Sequence, residues 1–272
     1  MFSSNPVAVR ARTVYHAAAD CYDLPALSFW ERFGRATVER LKLKPGQHVL
    51  DVCCGSGASA IPAAEAVGAE GSVLAVDLAP GLLALGRRKA AARGLAQIEF
   101  REGDFSALAE PSRSFDAVVC VFGIFFMPDM AGAVRGLWNY VRPGGQLAIA
   151  TWGPRVFEPA NSIFWDAVRE VRPELFKDFN PWDRIATPAA VAALLSDAGL
   201  STVRAEAEAG MHALAGPQDW WQIVMGSGYR GTIEMLTEAE REQVAARVRT
   251  EILRRDVGFV ETNVVYAHAV KR

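Results

Sequence analysis

The sequence predicts an α/β protein with a doubly wound, mostly parallel sheet, closed by an antiparallel strand at the C-terminus. Three observations point there. From His48 to Trp152, strand-like and helix-like segments alternate, and strands joined by crossover helices lie parallel under helices on both faces. The first strand, "HVLDV", breaks at its end into the small residues "CCGSGA", a turn of the kind that leads from a strand into a helix. A last strand-like segment, "GFVETNVVYAHAVKR", comes long after the alternation has stopped and is free to join the sheet antiparallel.

The elements follow in order. Residues 6–44 read as largely helical: in "SFWERFGRATVERLKL", Phe29, Phe33, Val38 and Leu41 recur at roughly helical spacing, and Pro45-Gly46 ends the segment. Then come a strand at "HVLDV", a helix over 57–68, a strand at "SVLAVD" and a helix over 80–94 that stops at Gly94. Strands at "IEFREGD" and "FDAVVCVF", a helix over 129–141 and a strand at "QLAIATW" complete this half. After Trp152 the pattern changes to a Pro- and aromatic-rich insertion with a short helix, up to residue 186. Thr187-Pro188 is an N-cap followed by a first-turn proline, with Gly199 as the matching stop. A strand near 201–209 and helices over 217–228 and 237–255 follow. Thr237 and Glu240 form a capping box for the second helix, and Val244, Val248 and Ile252 line its inner face. The reading is one structural domain in three parts: an N-terminal helical cap (1–45), a core (46–152), and a completion of the sheet carrying lid insertions (153–272).

Composition narrows the function. At 272 residues and 51% hydrophobic, the chain can bury a sizeable core, and its net charge of −2 gives no basic footprint for nucleic acid. No apolar run reaches the roughly 18 residues that a membrane span needs, and no apolar stretch near the N-terminus is long enough for a secretory signal. Cys21, Cys53, Cys54 and Cys120 have neither metal-ligand spacing nor a disulfide framework, so they read as reduced thiols in a cytoplasm and no metal is expected.

The turn after the first strand carries the chemistry. Gly55-Ser56-Gly57 with Ala60 fits G-x-G-x-x-G/A, and Asp77 follows about twenty residues on, where a ribose-binding carboxylate belongs. Taken alone this predicts a nicotinamide dinucleotide. Asp51, inside the strand end, argues otherwise: a carboxylate there repels a pyrophosphate and attracts a ligand with a cationic amino-acid end. Gly103-Asp104 and Phe105, at the end of the third strand, suit an adenine amino group and ring. "VRPGGQLAIA" is the turn and strand after the fourth β/α unit.

Together "VLDVCCGSG", "VLAVDLAPGLLALGRRKA", "IEFREGDF", "SFDAVVCVFGIFFMPD" and "VRPGGQLAIATW" resemble, in family order, the class I S-adenosylmethionine-dependent methyltransferases, whose fold is Rossmann-like. The closest flavour is the ubiquinone/menaquinone C-methyltransferase-like group, whose N-terminal helix "CYDLPALSFWERF" also resembles. The resemblance implies S-adenosyl-L-methionine as cofactor. It assigns Asp51, Gly55 and Gly57 to the amino-acid end, Asp77 to both ribose hydroxyls, Leu78 to the adenine, and Asp104 with Phe105 to the adenine edge and face. Val121 to Gly123 would line the methionine portion, and Tyr22 would reach the cofactor carboxylate. Cys53 stands where the family pattern has its first glycine, a position that asks mainly for little bulk.

The acceptor side is apolar. Phe125 and Phe126 occupy the loop where many relatives carry polar residues. The insertion adds aromatics including Trp182, and the later segment adds Trp221, Met225 and Tyr229. These are read as a lid built from 153–186 and 211–255, hinged at the glycines of "GSGYRG", over a mostly apolar pocket. Among His16, His48, His212 and His268, His212 ranks first as a general base, with Tyr229 as the other catalytic candidate. The expected activity is methyl transfer to a small, largely apolar or aromatic molecule, on O, N or C. A nicotinamide-dependent oxidoreductase and a non-catalytic cofactor-binding or scaffold protein are the rival readings.

Overall fold

The computed structural model describes residues 6–108 and 110–272, so the first five residues of the expected cap lie outside the described residues. The chain enters through α1 (Pro6–Ala18), a 3-10 turn at Pro25–Leu27 and α2 (Phe29–Leu41). Then come β1 (His48–Val52), α3 (Ala60–Val67), β2 (Ser72–Asp77), α4 (Pro80–Ala92), β3 (Ile98–Glu102), β4 (Phe115–Val121), α5 (Met130–Tyr140) and β5 (Val141–Trp152). The remainder runs α6 (Ala160–Val171), α7 (Pro188–Asp197), β6 (Val203–Glu208), β7 (Met211–Ala213), α8 (Pro217–Met225), α9 (Arg230–Ile233), α10 (Glu238–Arg254), β8 (Phe259–Glu261) and β9 (Val264–Val270).

The main sheet has the order β3-β2-β1-β4-β5-β9-β6. The pairs among β1 to β5 are parallel, and β9 runs antiparallel between β5 and β6. From β1 the chain steps outward through β2 and β3, then returns to β4 on the other side. That reversal opens a crevice at the carboxyl ends of β1 and β4, where ligands bind in sheets of this type.

Strand alternation divides the core between the two faces. Val49, Val73, Ala75, Ala117, Val119 and Ala148 pack with α3 and α4. Leu50, Val52, Leu74, Val76, Val118, Cys120, Leu147 and Ile149 face the other way, into the larger core that holds α5, α6 and α7. At the other end of the strands, Asp116 accepts from the backbone N–H of His48 (2.9 Å) and pairs with Arg142, a structural role.

Some expected elements come out differently. The C-terminal segment is not one alternating strand: β8 pairs with β7 in a separate two-stranded sheet, and only β9 enters the main sheet. β9 is buried along nearly its whole length because it has neighbours on both sides and cover on both faces. The first crossover helix starts at Ala60 rather than 57, since Gly57 has φ 88 and belongs to the turn. The caps at Thr187 and Thr237 form as read, each hydroxyl accepting from the backbone three residues on.

α2 lies tight on the turn after β1. A Cβ on Gly34 would overlap the backbone of Ala58 and lie 2.7 Å from the amide nitrogen of Ser59. Gly34→Ala is therefore expected to push α2 off the turn, destabilising the protein by about 1–3 kcal/mol and loosening the turn as well. Thermal unfolding of the variant beside the parent checks it.

Candidate active site

Three left-handed residues reverse the chain after β1: Cys53 (φ 55), Gly55 (φ 54) and Gly57 (φ 88). The glycines hold this conformation without a side-chain clash, and Cys53 does so at a cost of roughly 1–2 kcal/mol. Space is short as well: a Cβ on Gly57 would come within 3.1 Å of Phe100 and 3.2 Å of Ile61. The amide of Cys54 bonds the carbonyl of Val76 (3.2 Å), tying the turn to β2.

Asp77, the last residue of β2, holds the turn from the side. Its Oδ2 accepts the N–H of Gly55 at 2.9 Å and its Oδ1 the N–H of Ala79 at 2.8 Å. A carboxylate has about four acceptor positions, so both oxygens keep capacity for hydroxyl donors. Burial raises the Asp77 pKa, and the N–H bonds from Ala79, Gly55 and Leu78 work against that rise. Leu78 follows, half-buried.

Asp51 is 1% exposed, beneath the turn. Its Oδ2 accepts the hydroxyl of Ser59 at 2.7 Å, while its Oδ1, also buried, has no hydrogen-bond partner among the described residues. Burial pushes its pKa up to about 7, the Ser59 bond opposing and the charge of Asp77 adding to the rise. An orphaned buried carboxylate oxygen is costly unless a cation or donor answers it. The site thus fits a ligand with a cationic group at this end and two hydroxyls at Asp77.

Asp104 caps the short turn Phe105–Ala107, its Oδ1 accepting the N–H (2.9 Å) and hydroxyl (2.7 Å) of Ser106. Phe105 packs mainly in the core, and with Asp104 it borders a cavity of about 600 Å³ walled also by Met127, Pro128 and Asp129. Val121 ends β4, half-buried. Past it, Gly123 faces Cys53 so closely that a Cβ would lie 2.5 Å from that of Cys53.

The N-terminal segment covers the turn. The Tyr22 hydroxyl stands 3.2 Å from the place of a Gly55 Cβ, and its ring stacks on Trp30 with centroids 5.4 Å apart. The sequence reading missed three neighbours, Tyr15, Asp23 and Lys89. Tyr15 meets Tyr22 edge-on at 6.4 Å, and Asp77 and Cys53 are among the groups acting on its hydroxyl. Asp23 accepts from Ser56 (2.6 Å) and Lys89 (3.0 Å), pinning the turn to the cap and α4. Only the adjacency of Asp23 to Tyr22 hinted at this. α1 docks on the start of α4 through the N–H of Gly81, which donates to His16 Nδ1 at 3.1 Å.

An aromatic band leaves the turn. It runs from Tyr22 through Tyr15, Phe126 and Phe125 to Trp182, with centroid spacings of 6.4, 5.8, 4.8 and 5.4 Å. Both catalytic candidates lie elsewhere. His212 is on β7, its Nε2 2.9 Å from the carbonyl oxygen of Ala26 and its ring edge-on to Phe29, so its ring is a structural tie rather than a base facing the acceptor. Burial also lowers its pKa. Tyr229 is 8% exposed, enclosed by Phe157, Phe164, Trp165 and Trp220, and its hydroxyl donates to Asn161 Oδ1 at 2.7 Å. Burial raises its pKa far out of reach, so Tyr229 is a core residue.

Two of the three glycines of the expected hinge are packed, while a Cβ on Gly228 would meet only the Tyr15 hydroxyl, at 3.6 Å. A Cβ on Gly226 would meet Leu27 at 2.6 Å and one on Gly231 would meet Val14 at 2.8 Å, while Arg230 bridges Asp20 and Glu234. Trp221 and Met225 sit half-buried on α8, which packs on the 3-10 turn at Pro25–Leu27. Their rings and side chains make no aromatic contact with the band among the described residues.

Comparison with known proteins places this geometry. The family described as "Methyltransferase domain" matches residues 49–145. Aklanonic acid methyltransferase DauC of Streptomyces sp. (strain C5) is 32% identical over 180 residues, covering 62% of this chain and 82% of that enzyme. The chain belongs to the class I S-adenosylmethionine-dependent methyltransferases. The demethylmenaquinone methyltransferase of Bacillus cytotoxicus is 33% identical over 142 residues, 51% of this chain and 60% of that enzyme. In fold, the methyltransferase matches Haemonchus contortus phosphoethanolamine N-methyltransferase 2, solved with S-adenosylhomocysteine, at a TM-score of 0.59 and 15% identity. That match covers 98% of this chain and 60% of the other. The protein is thus an S-adenosylmethionine-dependent methyltransferase, and the nicotinamide and scaffold readings are set aside.

The buried carboxylates make two outcomes testable. The native pKa of Asp51, about 7, lies above its ordinary value of 3.8, so the folded state binds the extra proton and stability falls as pH rises from about 4 to 7. Asp51→Asn should remove that loss, raising the melting temperature of the cofactor-free methyltransferase at pH 8 while weakening S-adenosylhomocysteine binding. Parent affinity should in turn improve as pH rises through about 7. Asp77→Ala deletes hydrogen bonds worth about 1.5–3 kcal/mol each, and calorimetry should show cofactor affinity falling by more than about tenfold.

Proposed function

We propose that this methyltransferase modifies a small, largely apolar, aromatic acceptor that lies along the band from Tyr22 to Trp182. The single observation behind this reading is that band, which starts at the cofactor turn and consists of rings apart from the Tyr15 and Tyr22 hydroxyls. Relatives named for aklanonic acid and demethylmenaquinone support it. In this reading residues 1–45 act as cap, 46–152 as cofactor core and 153–272 as the acceptor side.

When bound, S-adenosylmethionine supplies an activated methyl group on a sulfonium, so no covalent enzyme intermediate is required. The chain's own part is position and exclusion of water. Asp77 takes the ribose hydroxyls, Asp51 answers the amino-acid end, Asp104 with Phe105 borders the adenine, and Gly123 leaves room beside Cys53. Phe125 and Phe126 wall the acceptor, with Trp182 at the far end of the band. Trp221 and Met225 remain a second, outer wall in this proposal.

Burial raises the hydroxyl pKa of both Tyr15 and Tyr22 well above the ordinary tyrosine value, so both stay protonated at neutral pH and act as donors. Neither hydroxyl has a hydrogen-bond partner among the described residues, which leaves them for ligands. With His212 and Tyr229 engaged elsewhere, the acceptor arrives as its own anion or free base, on O, N or C, and Tyr15 steadies the negative oxygen of an anionic acceptor.

The near-neutral charge favours no nucleic-acid partner, no helix among the described residues is long and apolar enough to cross a membrane, and the four cysteines are free, which together support a cytoplasmic enzyme. In calorimetry the methyltransferase should bind S-adenosylmethionine and S-adenosylhomocysteine and leave NAD unbound. In a screen of aromatic metabolites with labelled cofactor, Phe125→Ala and Trp182→Ala should lose most turnover, by more than about tenfold, with cofactor affinity within a factor of about two. Parent-like turnover by both variants would move the acceptor away from the band.

A further inference from the structure

Val52 and Cys120 are register partners on the parallel strands β1 and β4. Cys53 lies one residue further on. A strand spacing of about 4.8 Å and a rise of about 3.3 Å per residue put its Cα about 6 Å from that of Cys120. That is inside the span of about 4.4–6.8 Å that a disulfide bridges. Both sulfurs turn toward Gly123: a Cβ there would lie 2.7 Å from Cys53 Sγ and 3.0 Å from Cys120 Sγ. The two thiols share the room left by a missing side chain, and the nearness of Cys120 raises the Cys53 pKa.

The neighbouring thiol points elsewhere. Cys54 Sγ lies 3.8 Å from the carbonyl oxygen of Gly55, so the adjacent pair Cys53-Cys54 does not face itself. Cys53 is half-buried on the turn, in the left-handed conformation (φ 55), whereas Cys120 is fully buried. An oxidant entering from the crevice therefore meets Cys53 first, with Cys120 directly behind it.

We propose that Cys53 and Cys120 are a redox-active thiol pair on the floor of the cofactor crevice, which closes to a disulfide when a hydroperoxide enters. The Cys53 sulfur attacks one peroxide oxygen and the O–O bond breaks, giving a sulfenic acid and, with hydrogen peroxide, one water. The Cys120 sulfur then displaces the hydroxyl from the Cys53 sulfur, forming the S–S bond and a second water. Two electrons pass from the sulfurs to the peroxide, and the two thiol protons leave in the waters.

The bridge changes the site because a disulfide needs the sulfurs about 2.05 Å apart. Drawing Cys53 onto β4 twists the turn that presents Gly55 to Asp77 and fills the room beside Gly123. Bound cofactor shields Cys53, so the idle enzyme is the one that closes. The neighbouring Cys120 thiol, burial and the charge of Asp77 hold the Cys53 thiol protonated, with Tyr15 also close by, so closure is slow at neutral pH.

The test treats the purified full-length chain with hydrogen peroxide in mild alkali, with and without saturating S-adenosylhomocysteine, then maps disulfides by peptide mass spectrometry. The expected result is a Cys53–Cys120 bridged peptide, formed at least about fivefold more slowly with the ligand present and not formed in Cys120→Ala. Calorimetry on the oxidised protein should show S-adenosylhomocysteine affinity reduced at least about tenfold, restored by dithiothreitol. A bridge at another pair, over-oxidation of Cys53 with no bridge, or a bridge that leaves affinity unchanged overturns the proposal. The affinity readout rests on the cofactor reading: if the reduced parent binds no S-adenosylhomocysteine, that reading fails, while the peptide map still decides the thiol pair.

Discussion

The active site hangs on one carboxylate. Asp77 ends β2 and grips the amide of Gly55 with one oxygen and that of Ala79 with the other. Those two bonds join the turn after β1 to the start of α4, and so fix the crevice at the point where the sheet reverses direction. Charge-assisted bonds from backbone amides are the strong kind, and here they stand in buried surroundings where solvent screening is weak. The close contact of α2 with Ala58 and the anchoring of Asp23 by Ser56 and Lys89 all refer back to the position of this turn.

Holding that turn requires two carboxylates in the same buried neighbourhood. Burial raises the cost of ionising Asp51 most, and the charge of Asp77 adds to it. Ser59 answers one oxygen of Asp51 and leaves the other orphaned. A fold tuned for stability alone would not keep such a group. A fold that must receive a cationic, hydroxyl-bearing ligand would, because the ligand supplies what the protein withholds. The residues around the turn divide the same way: charge and backbone amides gather at the turn, and aromatic rings lead from it to Trp182.

Much of this was legible in the chain. The strand-helix alternation, the capping residues Thr187 and Thr237, and the turn with Asp51, Gly55, Gly57 and Asp77 are local patterns, set by backbone geometry over a few residues. The split of the C-terminal segment into β8 and β9 was not legible, because both pieces read as strand and only their partners tell them apart. The aromatics were ambiguous for a like reason. Tyr229 and Trp182 both come after the strand-helix alternation has stopped, yet one is sealed in the core with Asn161 and the other reaches Phe125 at the end of the band.

By itself the sequence determined the α/β class, the order of the elements and the chemistry of the cofactor turn, since each depends on periodicity, caps and small residues that act within one or two elements. Tertiary structure decided the rest: that Tyr15 faces Tyr22, that His212 serves Ala26, and that Cys53 meets Cys120 across Gly123. Those outcomes depend on how α1 docks and which strands become neighbours. Such long-range packing choices are made by the summed burial of many side chains, and no short stretch of sequence records them.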